Sequence, residues 1–314
     1  MPAAFEAVAP IFLLIALGAF AVARGILDER AGEVLSTFAA RIGIPFLVFD
    51  TLLHADLTGL SPWLLWICYF PAAGLAWILG HLVARRGFGR DPRRAVIAGI
   101  GSAFANSAFV GLPLAERAFG AHGVVIVTIL ISIHLPVMLT AGTVLMERAG
   151  RISDGAAPAS AAAVVMRVAR NLLGNAIVMA IVAAVVLRLV GLGLPGPVQQ
   201  AVGAVARAAG PMALVALGAG LTTAGLGRDL GPAIAATAIK LVVMPALLLA
   251  VGAALRLDAA TLGPLAVLAG VPAGVNVHLF AVQYGVGRSL GAGIVVLTTV
   301  AGAFTSTAWL WILT

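Results

Sequence analysis

Ten apolar runs, each of 20 to 26 residues, follow one another along 314 residues, and charged side chains make up only 10% of the chain. A helix that crosses a bilayer needs about 20 apolar residues. A soluble domain carries roughly 25% charged residues, so a soluble fold of this size could not cover its surface. Hydrophobic residues amount to 62%, and the mean hydropathy is +1.12. These values exclude an ordinary cytosolic enzyme, a nucleic-acid binder and a disordered protein. They point to an all-α polytopic membrane protein without a separate soluble domain.

The runs cover approximately 5–24, 31–54, 62–84, 94–117, 122–146, 165–190, 197–221, 231–255, 260–284 and 288–312. The second and seventh have polar first halves, Glu33 to Arg41 and Gln199 to Arg207, of the kind that lies along an interface or in protein. The first arginine is Arg24, so the amino terminus lacks a basic leader and the first run is expected to be a retained helix. The single cysteine, Cys68, lies inside an apolar run and can form no intrachain disulfide.

Charge placement sets the topology. The net charge is +7, and most of it sits in short loops. The first, third, fifth, seventh and ninth loops hold 13 of the 19 cations, including Arg85, Arg86, Arg90, Arg93, Arg94 and Arg228. The other loops hold three, Arg117, Arg188 and Arg256, and three fall within runs, Arg41, Arg207 and Lys240. Cytoplasmic loops carry the excess of lysine and arginine. Both termini are therefore expected outside, periplasmic in a bacterium, with the protein in the cell (inner) membrane. The stretch from about Glu147 to Ala163 reads as a cytoplasmic linker, which predicts halves 1–150 and 164–314 joined by 151–163.

An internal repeat supports that division. Arg41-x-x-x-Pro45 recurs as Arg207-x-x-x-Pro211, and Phe119-Gly120 recurs as Tyr284-Gly285, at offsets of 166 and 165. Five runs per half is an odd number, so the second half is inverted relative to the first. Inverted repeats with interrupted helices mark many secondary transporters.

The fourth and ninth runs carry the interruptions. Asn106-Ser107-Ala-Phe-Val-Gly111-Leu-Pro113 and Pro272-Ala-Gly274-Val-Asn276 each place a proline, a glycine and an amide in mid-run. Proline removes a backbone hydrogen bond and clashes with the preceding turn. In lipid the freed groups must be satisfied within the protein or line a wet cavity. Half-helix amino ends present free N–H groups and partial positive charge, which suits a carboxylate. Arg41, Arg207 and Lys240 face few buried acids, Asp50 being the clearest, and this excess of cations also favours an anionic substrate. These four and Gln283 are charge-balancing or coupling candidates. His134 and His278 are mid-run histidines able to carry a proton, and His278, beside Asn276, is the coupling candidate. No His-Glu-x-x-His and no phosphate-binding Gly-x-x-x-x-Gly-Lys-Ser/Thr occurs. Neither a zinc protease nor a built-in ATPase is expected, and no metal or cofactor.

These residues resemble the auxin efflux carrier family, in particular its bacterial, short-loop, malonate-carrier-like members. The likeness covers essentially the whole chain. It rests on Arg41-Ile-Gly-Ile-Pro45-Phe-Leu-Val-Phe, Asn106-Ser-Ala-Phe-Val-Gly-Leu-Pro113-Leu, Lys240-Leu-Val-Val-Met-Pro245, and Val271-Pro-Ala-Gly-Val-Asn276 through Ala281-Val-Gln-Tyr-Gly285. The resemblance implies ten transmembrane helices in two inverted five-helix repeats, with broken helices four and nine crossing as in bile-acid transporters and sodium–proton antiporters. It implies elevator-type transport of organic anions and a homodimer. It would place the carboxylate at Asn106, Ser107, Gly111, Pro113, Pro272, Gly274 and Asn276. Two departures stand out. Asn175-Ala176 replaces the Asn-Pro of many relatives, and the ninth run lacks the acidic residue of sodium-coupled ones, so protons are favoured over sodium.

The expected function is therefore secondary transport of a small carboxylate across the lipid bilayer, with no nucleic-acid partner. A cation–proton exchanger on the same fold and a non-transporting anion sensor are the alternatives. The first needs a mid-membrane carboxylate at the breaks, and the second normally needs a larger output domain than the linker allows.

Overall fold

The computed structural model describes residues 2–55, 60–154, 161–221 and 229–313. Arg228 and residues 155–160 of the expected linker lie outside these residues. The described chain is helical, and its β pairing is a single bridge between Ala105 and Ala273. The helices are α1 (Pro2–Ala23), α2 (Glu29–Phe38), α3 (Ile44–His54), α4 (Pro62–Leu82), α5 (Pro92–Ala103), α6 (Leu112–Asp154) and α7 (Ala161–Leu173). They continue with α8 (Ala176–Leu189), α9 (Gly196–Leu221), α10 (Leu230–Ala238), α11 (Met244–Ala254), α12 (Ala259–Gly270), α13 (Asn276–Gln283) and α14 (Arg288–Leu313). Four π turns are inserted, at Ala39–Gly43, Val83–Gly87, Ser107–Gly111 and Ile239–Val243. The first and last lie two residues before Pro45 and Pro245, whose rings disturb the preceding helical ladder.

Among the described residues, seven helices are long and apolar enough to cross a membrane. Ten runs were expected, and interruption accounts for the difference. The fourth, sixth and ninth runs fold as pairs of shorter helices, α5 with the start of α6, α7 with α8, and α12 with α13. The segment Ser107–Arg151 counts as one helix of 45 residues. At 1.5 Å per residue it would extend about 68 Å, more than twice a hydrocarbon core. It turns at Gly120, whose φ of 61° and ψ of −153° break the helix.

Backbone landmarks recur at the offset read from the sequence. Left-handed residues occur at Gly25 and Gly191, at Gly89 and Arg256, and at Gly120 and Gly285. Each pair is 165 to 167 residues apart. Asp91 and Asp258, also 167 apart, cap α5 and α12 in the same manner, each carboxylate accepting N–H groups of the first turn. The Arg41 and Arg207 motifs differ locally: Pro45 follows a π turn, whereas Pro211 sits inside the long α9.

The helices pack in two sets. In one, α1, α2 and α3 lie against α9, and α3 also packs on α8. In the other, α5 packs on α4 and α6, α11 on α4 and α12, and α10 and α13 on α14. Contacts between the sets run from α1 to α6 and α14 and from α3 to α6. The first set is drawn together where α1 crosses α9. Gly18 lies against the Val215 carbonyl and Gly218 against the Ile15 carbonyl, with no room for a Cβ on either glycine. Small residues let membrane helices approach this closely. In the second set α5 and α12 are enclosed on all sides, with Ala95–Ala103 and Gly263–Gly270 wholly buried.

Candidate substrate site at the helix crossing

The chain leaves the helix at 104–106, before the π turn Ser107–Gly111, and again at 271–275, between α12 and α13. Pro272 explains the second exit. A residue before proline is pushed out of the helical region, and Val271 is extended, with φ −69° and ψ 158°. The two extended segments cross antiparallel. The Asn106 N–H donates to the Pro272 carbonyl at 2.8 Å, and the Gly274 N–H donates to the Phe104 carbonyl at 2.9 Å. The Ala273 N–H donates to Thr298 Oγ1 at 3.0 Å, and that hydroxyl donates to the Ile294 carbonyl at 2.7 Å. Each break thus supplies partners that the other has lost, as backbone away from water requires.

A cavity of about 140 Å³ opens beside this crossing. Sites for drug-sized ligands usually exceed roughly 300 Å³, so this one suits a small molecule. Asn106, Ser107, Gly274 and Asn276 line it, joined by Asn175 and His134. Three helix amino ends meet there: the π turn that leads into α6 begins at Ser107, α13 at Asn276, and α8 just after Asn175. The first N–H groups of a helix have no partner within it. Asn175 Oδ1 caps two of those of α8, accepting from Ile177 and Val178 at 3.0 and 3.3 Å. Asn106 Oδ1 accepts from Phe109 at 3.3 Å. No side chain caps α13. The Asn106 side-chain Nδ2 is buried and has no partner, although Asn106 itself is only 6% exposed. Among the described residues, no Asp, Glu, Lys or Arg lines the cavity. Its polar character is that of amide donors and helix amino ends, which favour an anion.

The other expected residues lie elsewhere. Pro272 holds the crossing through its carbonyl. Gly111 closes the π turn, its N–H donating to the Asn106 carbonyl at 2.9 Å. Pro113, Asp50 and Arg207 line a second, larger space of about 950 Å³ between the two helix sets. In this vestibule Gln199 Nε2 donates to Asp50 Oδ1 at 2.7 Å, and His54 Nδ1 is 3.4 Å from the same carboxylate oxygen. Lys240 is fully buried in its π turn and donates to the Ala269 carbonyl, one residue inside the end of α12. Arg41 and Gln283 are exposed and line neither space. His278 Nδ1 lies 3.3 Å from the Arg288 carbonyl and is also outside both.

Two lining residues were not among the expected site. Asn175 follows Gly174 in mid-run, and the fourth and ninth runs likewise combine an amide with a glycine within a few residues. His134 stands out in the sequence as a mid-run histidine, but its place beside the crossing does not, because Tyr69, Phe104 and the cavity reach it from distant parts of the chain.

Residues 3–310 match the family described as "Membrane transport protein". A protein of Rhizobium meliloti (strain 1021) named "Putative malonate transporter" is 26% identical over 321 residues, covering 98% of this chain and 94% of the relative. A protein of Methanothermobacter thermautotrophicus named "Uncharacterized transporter" is 32% identical over 122 residues. That match covers 38% of this chain and spans 40% of the relative's length.

Proposed function

The chain belongs to the membrane transport protein family, the auxin efflux carriers, and from that premise we propose that it is a secondary carrier of small organic anions such as malonate-like carboxylates. One observation carries the reading. Three helix amino ends meet at one small cavity lined by Asn106, whose buried side-chain Nδ2 has no partner, and among the described residues that lining has no acidic side chain. Oriented N–H groups in a dry site bind a carboxylate strongly while leaving the empty site uncharged. The name of the Rhizobium relative agrees with that substrate class.

The same lining counts against the cation–proton exchanger, which would need a carboxylate where Asn106 and Asn276 stand. The proposal includes ten membrane crossings in two inverted halves, 1–150 and 164–314, and the recurring left-handed residues and aspartate caps support it. The first helix set, locked by its close α1–α9 approach, would serve as a scaffold, and the second would carry the crossing past it in an elevator motion. The vestibule between the sets supports this division. Location in the inner membrane with both termini outside, and assembly as a homodimer, belong to the proposal through loop charge and family resemblance respectively.

The test is counterflow of labelled malonate in proteoliposomes, against a panel of competing mono- and dicarboxylates. Saturable exchange that carboxylates compete away is the expected result. Absence of exchange with every anion, in protein that remains folded, would overturn the reading.

A further inference from the structure

We propose that His134 is the proton site of the carrier, so that each anion enters the cavity together with one proton held on the His134 imidazole. This rests on the anion-carrier reading and names its coupling ion. His134 is 2% exposed and lines the cavity with Asn106, Asn175 and Asn276. Its ring sits in an aromatic box. Tyr69 and Phe104 meet it edge-on at centroid distances of 5.5 and 5.1 Å, and Phe70 is stacked at 6.4 Å. Its Nε2 lies 3.5 Å from the Tyr69 hydroxyl, the outer limit of a hydrogen bond.

The titratable groups that reach the imidazole are the Tyr69 hydroxyl from α4 and the Lys240 ammonium from the Ile239–Val243 π turn. Among the described residues, the remaining polar neighbours around the cavity are neutral amides and the Ser107 hydroxyl, and no carboxylate lines it. An imidazolium buried here without an anion therefore has no counter-charge, and such burial is costly. A carboxylate in the cavity supplies that counter-charge. Anion and proton then each raise the affinity for the other, and the coupling is reciprocal. His278 lines neither cavity nor vestibule and does not take this part.

The experiment measures malonate binding to the purified full-length protein between pH 6 and 8, with proton uptake followed by a pH-sensitive dye in weak buffer. His134→Gln keeps a polar side chain but cannot titrate, and His278→Gln is the control. Malonate titrates identically with every variant, so differences between proteins report the imidazole. The expected result is one proton taken up per malonate by the wild type and by His278→Gln. Their affinity should rise toward tenfold per pH unit as the pH falls, beyond the trend of His134→Gln. Malonate binding by the wild type without proton uptake would overturn the role of His134 and leave the anion carrier standing. This measurement needs no variant to fold. Failure of the wild type to bind any carboxylate would overturn both.

Discussion

The main-chain N–H of Asn106 is hydrogen-bonded to the carbonyl of Pro272 at 2.8 Å, across 166 residues of sequence. That bond joins the residue whose side chain faces the cavity to the residue that ends α12. It also accounts for the pairing of a proline with an asparagine at the crossing. Proline frees the carbonyls around it by stopping the helix, and the other break brings the donor.

Replacing Asn106 with Ala removes the unpartnered Nδ2 and the cap on the Phe109 N–H. A hydrogen bond to a charged group contributes about 1.5–3 kcal/mol, so malonate affinity should fall roughly 10- to 100-fold. Equilibrium binding to the purified variant, with its melting temperature recorded alongside, checks this. Unchanged affinity would remove Asn106 from the site.

The α1–α9 crossing should be intolerant of a single methyl group. Gly218→Ala places Cβ against the Ile15 carbonyl, and the backbones must separate, at a cost of about 1–3 kcal/mol. Gly74→Ala on α4 meets nothing within 4 Å and should be neutral or gain up to about 1 kcal/mol. Thermal unfolding in detergent distinguishes the two.

The cap of α12 predicts a pH dependence. Hydrogen bonding from the Thr261 N–H holds the Asp258 carboxyl below its ordinary value. A depressed folded-state value means that the stabilisation is complete above the unfolded value, near pH 4, and is lost as the pH falls through the folded one. Asp258→Ala should lower stability by about 0.5–2 kcal/mol at neutral pH. The gap to the wild type should close below about pH 4. A gap that persists in acid would assign the effect to packing.

Orientation can be read with single cysteines. Cys68 is buried, so it leaves a quiet background for a membrane-impermeant thiol reagent. His122→Cys should label from outside intact cells and Arg86→Cys only after permeabilisation. The reverse pattern would invert the topology read from loop charge.

The sequence announced the two breaks because proline, glycine and an amide in mid-run are conspicuous against an apolar background. Asn106, Ser107, Gly274 and Asn276 accordingly meet at one cavity. The repeat offset was legible from Phe119-Gly120 and Tyr284-Gly285 because a left-handed turn constrains residue type. The position of Asp50 and Arg207 in the vestibule was not legible. A charge within an apolar run has the same appearance whether it faces a substrate, a second cavity or another helix. The place of His134 was hidden for a related reason: aromatic rings from two distant segments, Tyr69 and Phe70 on α4 and Phe104 at the first break, define it.

The absence of ionised side chains from the lining at the crossing has a consequence for turnover. A binding pocket built around a fixed arginine would become a naked charge once its cargo departed, and the low-dielectric interior would resist its return journey. A pocket built from amide dipoles and helix ends stays electrically silent when vacant. On the proposed reading the unloaded half of the cycle would need no counter-cargo, and net flux would follow the combined gradients of anion and proton without obligatory exchange.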